Sequence, residues 1–138
     1  MKLCKIYALQ VYGNKKLRIF VRFNLQIMTD MSISQRLSDL RELMQREHLS
    51  AFVFPSTDPH QGEYVPDHWK GREFISGFNG SAGTAVVTMT SAALWTDSRY
   101  FIAAEEQLKD TGYQLMKLKI EGTPTIAEWL GKECGPGA

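Results

Sequence analysis

The sequence predicts an α/β domain in which a mixed β-sheet is flanked by helices. Three observations carry that expectation. From Ser32 onward, stretches of helical periodicity alternate with short apolar runs in the order α-β-α-β-β-α-β-α, the pattern of a layered α/β fold. Two of the runs, "GTAVVTM" and "AALWTD", are separated only by Thr90-Ser91, which predicts a tight hairpin inside the sheet. The 138 residues, 43% hydrophobic and 22% charged, suit one soluble domain with a real core and are too few for two ordinary domains.

The elements follow in order. Ser32 or Ser34 can cap a helix in which Ile33, Leu37, Leu40, Leu43 and Met44 recur at steps of three and four. "AFVFP" (Ala51 to Pro55) is an apolar run stopped by proline and reads as a buried strand. "STDPHQGEYVPDH", residues 56–68, is polar and broken by Pro59, Gly62 and Pro66, hence a loop. "WKGREFISGF" holds a short helix that ends near Gly77. After the hairpin, "SRYFIAAEEQLKD" reads as a helix with Asp97 or Ser98 as its cap and Gly112 as its stop. "YQLMKLKI" alternates as a strand, and "TPTIAEWLGKE" is a capped helix with Pro124 expected in its first turn.

Residues 1–28 stand apart. They hold six basic side chains (Lys2, Lys5, Lys15, Lys16, Arg18, Arg22) and no acidic one. Leu17, Ile19, Val21, Phe23, Leu25 and Ile27 alternate with Arg18, Phe20, Arg22, Asn24 and Gln26, so the segment forms a strand if it folds, hairpinned at Gly13-Asn14. Its basic character also fits a transit peptide, although it lacks serine and has the wrong period for an amphipathic helix. The third reading, which we favour, takes it as a basic extension upstream of the true start, because Met28 and Met31 directly precede the helix-start signal. On that reading the domain occupies residues 29–138.

The chain's net charge of +1 conceals this asymmetry. Beyond residue 28 there are ten basic against fifteen acidic residues, and an acidic body argues against nucleic acid as the partner. No window approaches the roughly 18 consecutive apolar residues of a membrane span, so no membrane association is expected. Cys4 and Cys134 lie at opposite ends of the chain. That spacing makes neither a disulfide framework nor a metal knuckle, and it suits a reducing cytosol.

Three motifs invite chemical readings. Glycines 77, 80 and 83 in "ISGFNGSAGTAVV" resemble a phosphate cradle, but a cradle needs its glycines between a strand and the helix that follows. Here the helix comes first and the glycines lead into a strand. They are instead expected to end the helix (Gly77), take a left-handed turn (Gly80) and let the strand entry pass close to a neighbour (Gly83). Asp58, His60, Glu63, Asp67 and His68 offer five metal-ligand types in eleven residues. Pro59, Gly62 and Pro66 break any spacing that would set two of them on one face, so no metal site is expected. No Gly-x-Ser-x-Gly elbow and no placed serine–histidine or cysteine–histidine pair is present. Asp97 and Arg99 in "WTDSRYF" flank a helix start at the end of a strand. From the residues alone two readings stand: a cap with its paired arginine, or an arginine at the sheet rim that reaches a carboxylate or carbonyl.

"FPSTDPHQGEY" (Phe54 to Tyr64), "FISGFNGSAGTAVVT" (Phe74 to Thr88), "ALWTDSRYF" (Ala93 to Phe101) and "GTPTIAEWL" (Gly122 to Leu130) occur in this order. Together they resemble the creatinase/prolidase-type N-terminal domain of Xaa-Pro aminopeptidase, of the long three-domain kind. The likeness runs from about Ser32 to Leu130, and Ser98 departs from it where many relatives have glycine. It implies a non-catalytic domain of a hydrolase that removes the N-terminal residue from peptides with proline second. It further implies a cytoplasmic metallopeptidase whose two divalent metals, typically manganese, are held by two Asp, one His and two Glu in a C-terminal pita-bread domain. A metal-bound hydroxide attacks the scissile carbonyl in such enzymes. None of that ligand set maps onto this chain, which is therefore expected to be inactive alone, with no catalytic residue, metal ligand or bound cofactor of its own. One residue does map: Arg99, in the "TDxRY" motif, matches the arginine by which this domain contacts the peptide. The implied partners are the proline-containing peptide and the catalytic domain, and a homodimer is compatible with the resemblance. The competing reading is a stand-alone binding module of the same fold with no hydrolase attached.

Overall fold

A computed structural model describes residues 3–12, 15–24, 31–57 and 64–135. Strands β1 (Leu3–Tyr12) and β2 (Lys15–Asn24) pair antiparallel from Leu3↔Asn24 to Tyr12↔Lys15 and form a two-stranded sheet of their own. Up to Asn24 the alternating segment thus has the backbone that its period of two implies, while Leu25, Gln26 and Ile27 lie outside the described residues. Gly13 and Asn14, expected as the turn, lie outside the described residues.

The main sheet has four strands in the order β3 (Ala51–Phe54), β4 (Thr84–Thr88), β5 (Ala92–Thr96) and β6 (Gln114–Lys117). β3–β4 and β4–β5 are antiparallel, and β5–β6 is parallel. The parallel pair requires a crossover, supplied by α3 (Phe101–Gln107). The expected mixed sheet and order of elements are what the structure shows. The turn between β4 and β5 is closed by Thr88, whose N–H donates to the Ser91 carbonyl at 2.8 Å.

Strand alternation assigns side chains to two cores. Phe52, Phe54, Ala85, Val87, Ala92, Leu94 and Leu115 face one layer of helices. There they meet Leu37, Leu40 and Met44 of α1 (Ile33–Arg46), Ile75 of α2 (Gly71–Ser76), and Ala104 of α3. Val53, Val86, Ala93, Trp95 and Met116 face the opposite side, where α4 (Ile126–Cys134) covers them with Trp129, Ile126 and Leu130. Trp95 and Trp129 meet edge to face with centroids 5.5 Å apart. β5 is buried along its whole length, which explains its unbroken apolar run: a strand covered on both faces has no polar side to show.

Ser32 caps α1, accepting from Gln35 N–H at 3.3 Å. Pro124 corrects the sequence expectation. Thr125 is the cap of α4, so Pro124 lies before the helix rather than in its first turn. Its carbonyl there accepts from Trp95 Nε1 at 2.9 Å and ties the helix entry to the sheet. The 56–68 loop also contains structure at its end, a 3-10 turn at Asp67–Trp69. Gly112 has the positive φ of a stop, 83°, but α3 itself ends at Gln107, five residues before it.

Candidate functional site

The C-terminal edge of β5 builds the rim that carries Arg99. After Thr96 the chain leaves the sheet at Asp97, whose carboxylate accepts from Arg99 N–H at 3.0 Å and caps a 3-10 turn, Ser98–Tyr100. The same carboxylate takes two side-chain bonds, from Arg99 Nε at 3.0 Å and Nη2 at 2.8 Å. Both readings of the Asp97–Arg99 pair therefore start from one geometry. Asp97 is the cap and Arg99 its partner. The pair uses two of the five guanidinium N–H groups, and the Arg99 side chain is 66% exposed, so the fork around Nη1 faces outward for a second acceptor. Hydrogen bonding from Arg99 holds the Asp97 carboxyl below its ordinary value, and the same bond raises Arg99. Ion and partner keep each other charged.

Arg99 lies over the ring of Tyr100, 5.2 Å from its centroid. Tyr100 is fixed in turn by its hydroxyl, 2.5 Å from Ser81 Oγ, and by Phe78, edge to face at 6.0 Å. Ser81 and Phe78 belong to the glycine stretch, which therefore buttresses the rim rather than cradling a phosphate. Gly77 has φ 75° and closes α2, its N–H donating to the Glu73 carbonyl at 2.8 Å. Gly83 makes the expected close approach, since a Cβ there would stand 2.9 Å from the Trp95 carbonyl oxygen. Gly80 departs from expectation. Its φ is not in the left-handed region, and what requires glycine is the ring of Phe78, which occupies the place of a Cβ.

Two residues that sequence reasoning passed over hold this stretch together. Arg72 is 8% exposed. Its Nη1 donates to Ser56 Oγ at 2.7 Å and to the Gly83 carbonyl at 3.5 Å, its Nη2 donates to the Gly80 carbonyl, and its guanidinium lies over Phe78 at 5.1 Å. Ser56 accepts from Gly83 N–H at 2.8 Å and donates back to the Gly83 carbonyl. The signal for Arg72 was helical spacing: it shares one face with Ile75 and Ser76, both buried, at steps of three and four.

Asp58, His60 and Glu63 lie outside the described residues, as does the side chain of His68, while Asp67 bonds Lys70 Nζ at 2.8 Å. Among the described residues no three His, Cys, Asp or Glu side chains are close enough to hold a metal ion. No described helix is long and apolar enough to cross a membrane.

A four-stranded mixed sheet between helical layers, with an arginine-bearing turn at the end of the inner strand β5, defines an α/β domain. The chain belongs to the Creatinase/Prolidase N-terminal domain family, which it matches over residues 36–137. It is 49% identical over 110 residues to a probable Xaa-Pro aminopeptidase P of Aspergillus flavus, covering 80% of this chain and 17% of the relative. It is 41% identical over 146 residues to the corresponding protein of Aspergillus fumigatus, covering 99% of this chain and 22% of the relative. An X-prolyl aminopeptidase from Caenorhabditis elegans, described as a cytosolic enzyme with a di-nuclear active site, superposes with a TM-score of 0.69 at 37% identity. It covers 75% of this chain and 18% of that one. The chain thus spans about a fifth of the length of these relatives.

Proposed function

We propose that the chain is the non-catalytic N-terminal domain of a metal-dependent, cytoplasmic Xaa-Pro aminopeptidase, in which Arg99 contacts the peptide. The enzyme releases the N-terminal residue from peptides with proline second. A catalytic pita-bread domain would hold two divalent metals, most often manganese, which would supply the activation of water for hydrolysis of the scissile bond. This domain packs against it, shapes peptide access and takes no part in metal binding. The reading admits a homodimer and needs neither nucleic acid nor membrane. Residues 1–28 are an extension to a domain that occupies residues 29–138.

The observation that carries the reading is Arg99. It stands exposed at the end of a buried strand, with its carboxylate partner on one side and free donors on the other. Asp97 restricts the side chain before any peptide arrives, so less rotamer freedom is lost when a backbone carbonyl is bound. The planar fork suits a carbonyl or carboxylate in a way that lysine cannot copy.

In the complete enzyme, Arg99→Lys and Arg99→Ala should each lower kcat/KM for an Arg-Pro-containing peptide by about ten- to a hundredfold, the worth of a charged hydrogen bond. The melting temperature should hardly move, because an exposed ion pair contributes little to stability. Wild-type kinetics with a lowered melting temperature would make Arg99 a structural partner of the cap alone. The isolated 138-residue chain, assayed with manganese on Gly-Pro peptides, is expected to show no turnover; measurable hydrolysis would refute the non-catalytic assignment.

A further inference from the structure

A cleft of about 250 Å³ opens between Ser56, the 64–70 segment, the first turn of α2 and the 79–81 turn. Its walls include Trp69, Lys70, Arg72, Asn79 and Ser81. We propose that this cleft is a carboxylate-binding site organised by Arg72.

The acceptors that surround the Arg72 guanidinium are all neutral: Ser56 Oγ and the carbonyls of Gly80 and Gly83. Those bonds use three of its five N–H groups, and Nε is buried with no acceptor at all. Among the described residues no carboxylate touches it. Asp67 is taken by Lys70, and Glu73 on the same wall acts only through space. Burial accordingly draws the guanidinium below its ordinary value, with Glu73 and Tyr100 opposing. A buried cation without a direct counter-charge, and with an orphaned donor, is an arrangement that folding alone does not favour.

The surroundings select the ligand. A carboxylate would supply the missing charge and accept from the Nη2 N–H that Gly80 leaves over, while Nε stays shut off from the cleft. Lys70, whose side chain is 44% exposed, adds a second cation at the cleft wall. Trp69 gives an apolar wall for the carbon chain that bears the acid, and the size of the cleft suits a small organic acid or the last residue of a peptide. Arg99 stands on a separate turn, reached from the cleft through Ser81 and Tyr100, so a peptide held at one point is not thereby held at the other.

The test is a nitrogen-15 NMR titration of the 138-residue chain with sodium acetate at constant ionic strength, with sodium chloride as control. Saturable shifts of the Lys70 and Ser81 amides are expected from acetate and none from chloride. Arg72→Lys keeps the charge but loses the fork and should weaken acetate binding about tenfold. Lys70→Met, at an exposed position that leaves the fold intact, should weaken it a few-fold by removing one nearby charge. Gly-Pro-Gly and its C-terminal amide separate the sources. Tight binding of the free acid alone assigns the cleft to peptide C-termini, and a tripeptide no better than acetate assigns it to small acids; either supports the site. Shifts that fail to saturate, or that chloride reproduces, overturn it, as does wild-type affinity in a folded Arg72→Lys. If that variant does not fold, unchanged affinity in Lys70→Met overturns the proposal. No turnover is read, so failure here leaves the aminopeptidase assignment standing.

Discussion

At Gly83 a single hydrogen stands between the turn entering β4 and the backbone of β5. A Cβ would lie 2.9 Å from the Trp95 carbonyl oxygen, and that oxygen cannot retreat without opening the ladder in which Thr84 faces Trp95. Gly83→Ala should therefore cost about 1–3 kcal/mol, as overpacking does. Gly131 is the opposite case, a glycine inside α4 with nothing within 4 Å of an added Cβ. Gly131→Ala should stabilise by about 0.5–1 kcal/mol, because alanine loses less freedom on entering a helix. Urea unfolding of both variants checks the pair, and a Gly83→Ala protein as stable as wild type would show that the turn has room to give. Of these details only the need for a small residue at Gly83 was legible in the sequence. Gly80 read as a left-handed turn because the ring that fills its side-chain space, Phe78, folds back from two residues away, and a linear pattern does not show a ring's direction.

At the scale of elements, α4 shows how a local signal and a tertiary one combine. Thr125 Oγ1 accepts from Glu128 N–H at 3.2 Å, and Glu128 Oε2 accepts from Thr125 N–H at 2.8 Å and its hydroxyl at 3.0 Å. The Thr-x-x-Glu pattern carries this reciprocal cap, although the sequence reading, with Pro124 in the first turn, started the helix before it. Thr125→Ala should cost about 1 kcal/mol. The backbone hydrogen bond from Thr125, then its hydroxyl, hold the Glu128 carboxyl below its ordinary 4.5. A carboxylate lowered on folding stabilises the native state above its unfolded value, and that contribution disappears as pH falls through the lower folded one. The melting temperature of wild type should therefore exceed that of Glu128→Gln at neutral pH, and the gap should close as pH falls through and below 4.5. A gap that stays constant over that range would mean the carboxylate charge contributes nothing to the cap. Where the helix lands was not legible: Trp129 seeks Trp95 across the sheet, and the Pro124 carbonyl is placed by the Trp95 indole, both partners some thirty residues away in sequence.

For the whole molecule the open quantity is the weight of the first hairpin. β1 and β2 form their own sheet, while the four-stranded sheet and its helices are complete from Ile33 onward. A chain beginning at Met28 should melt within about 4 °C of the full one, which for a domain of this size is on the order of 1 kcal/mol. A larger drop would make the hairpin part of the cover over β3, near which β1 runs, and would end its reading as a dispensable extension. The sequence by itself determined the element order, a serine cap at the start of α1 (Ser32 or Ser34), the hairpin between β4 and β5, and the pairing of Asp97 with a helix start. All of these rest on interactions within a few residues or on a period that burial imposes on one face. Tertiary structure alone decided that β3 joins β4 and β6 joins β5, that β5 is covered on both sides, and that Ser56 and Arg72 meet at the glycine turn. It also decided that Tyr100 carries Arg99 on a support anchored by Ser81. Apart from the adjacent Arg99 and Tyr100, those contacts join positions 16 or more residues apart, and the free energy that selects them comes from excluding water over the assembled core, a quantity no local window contains.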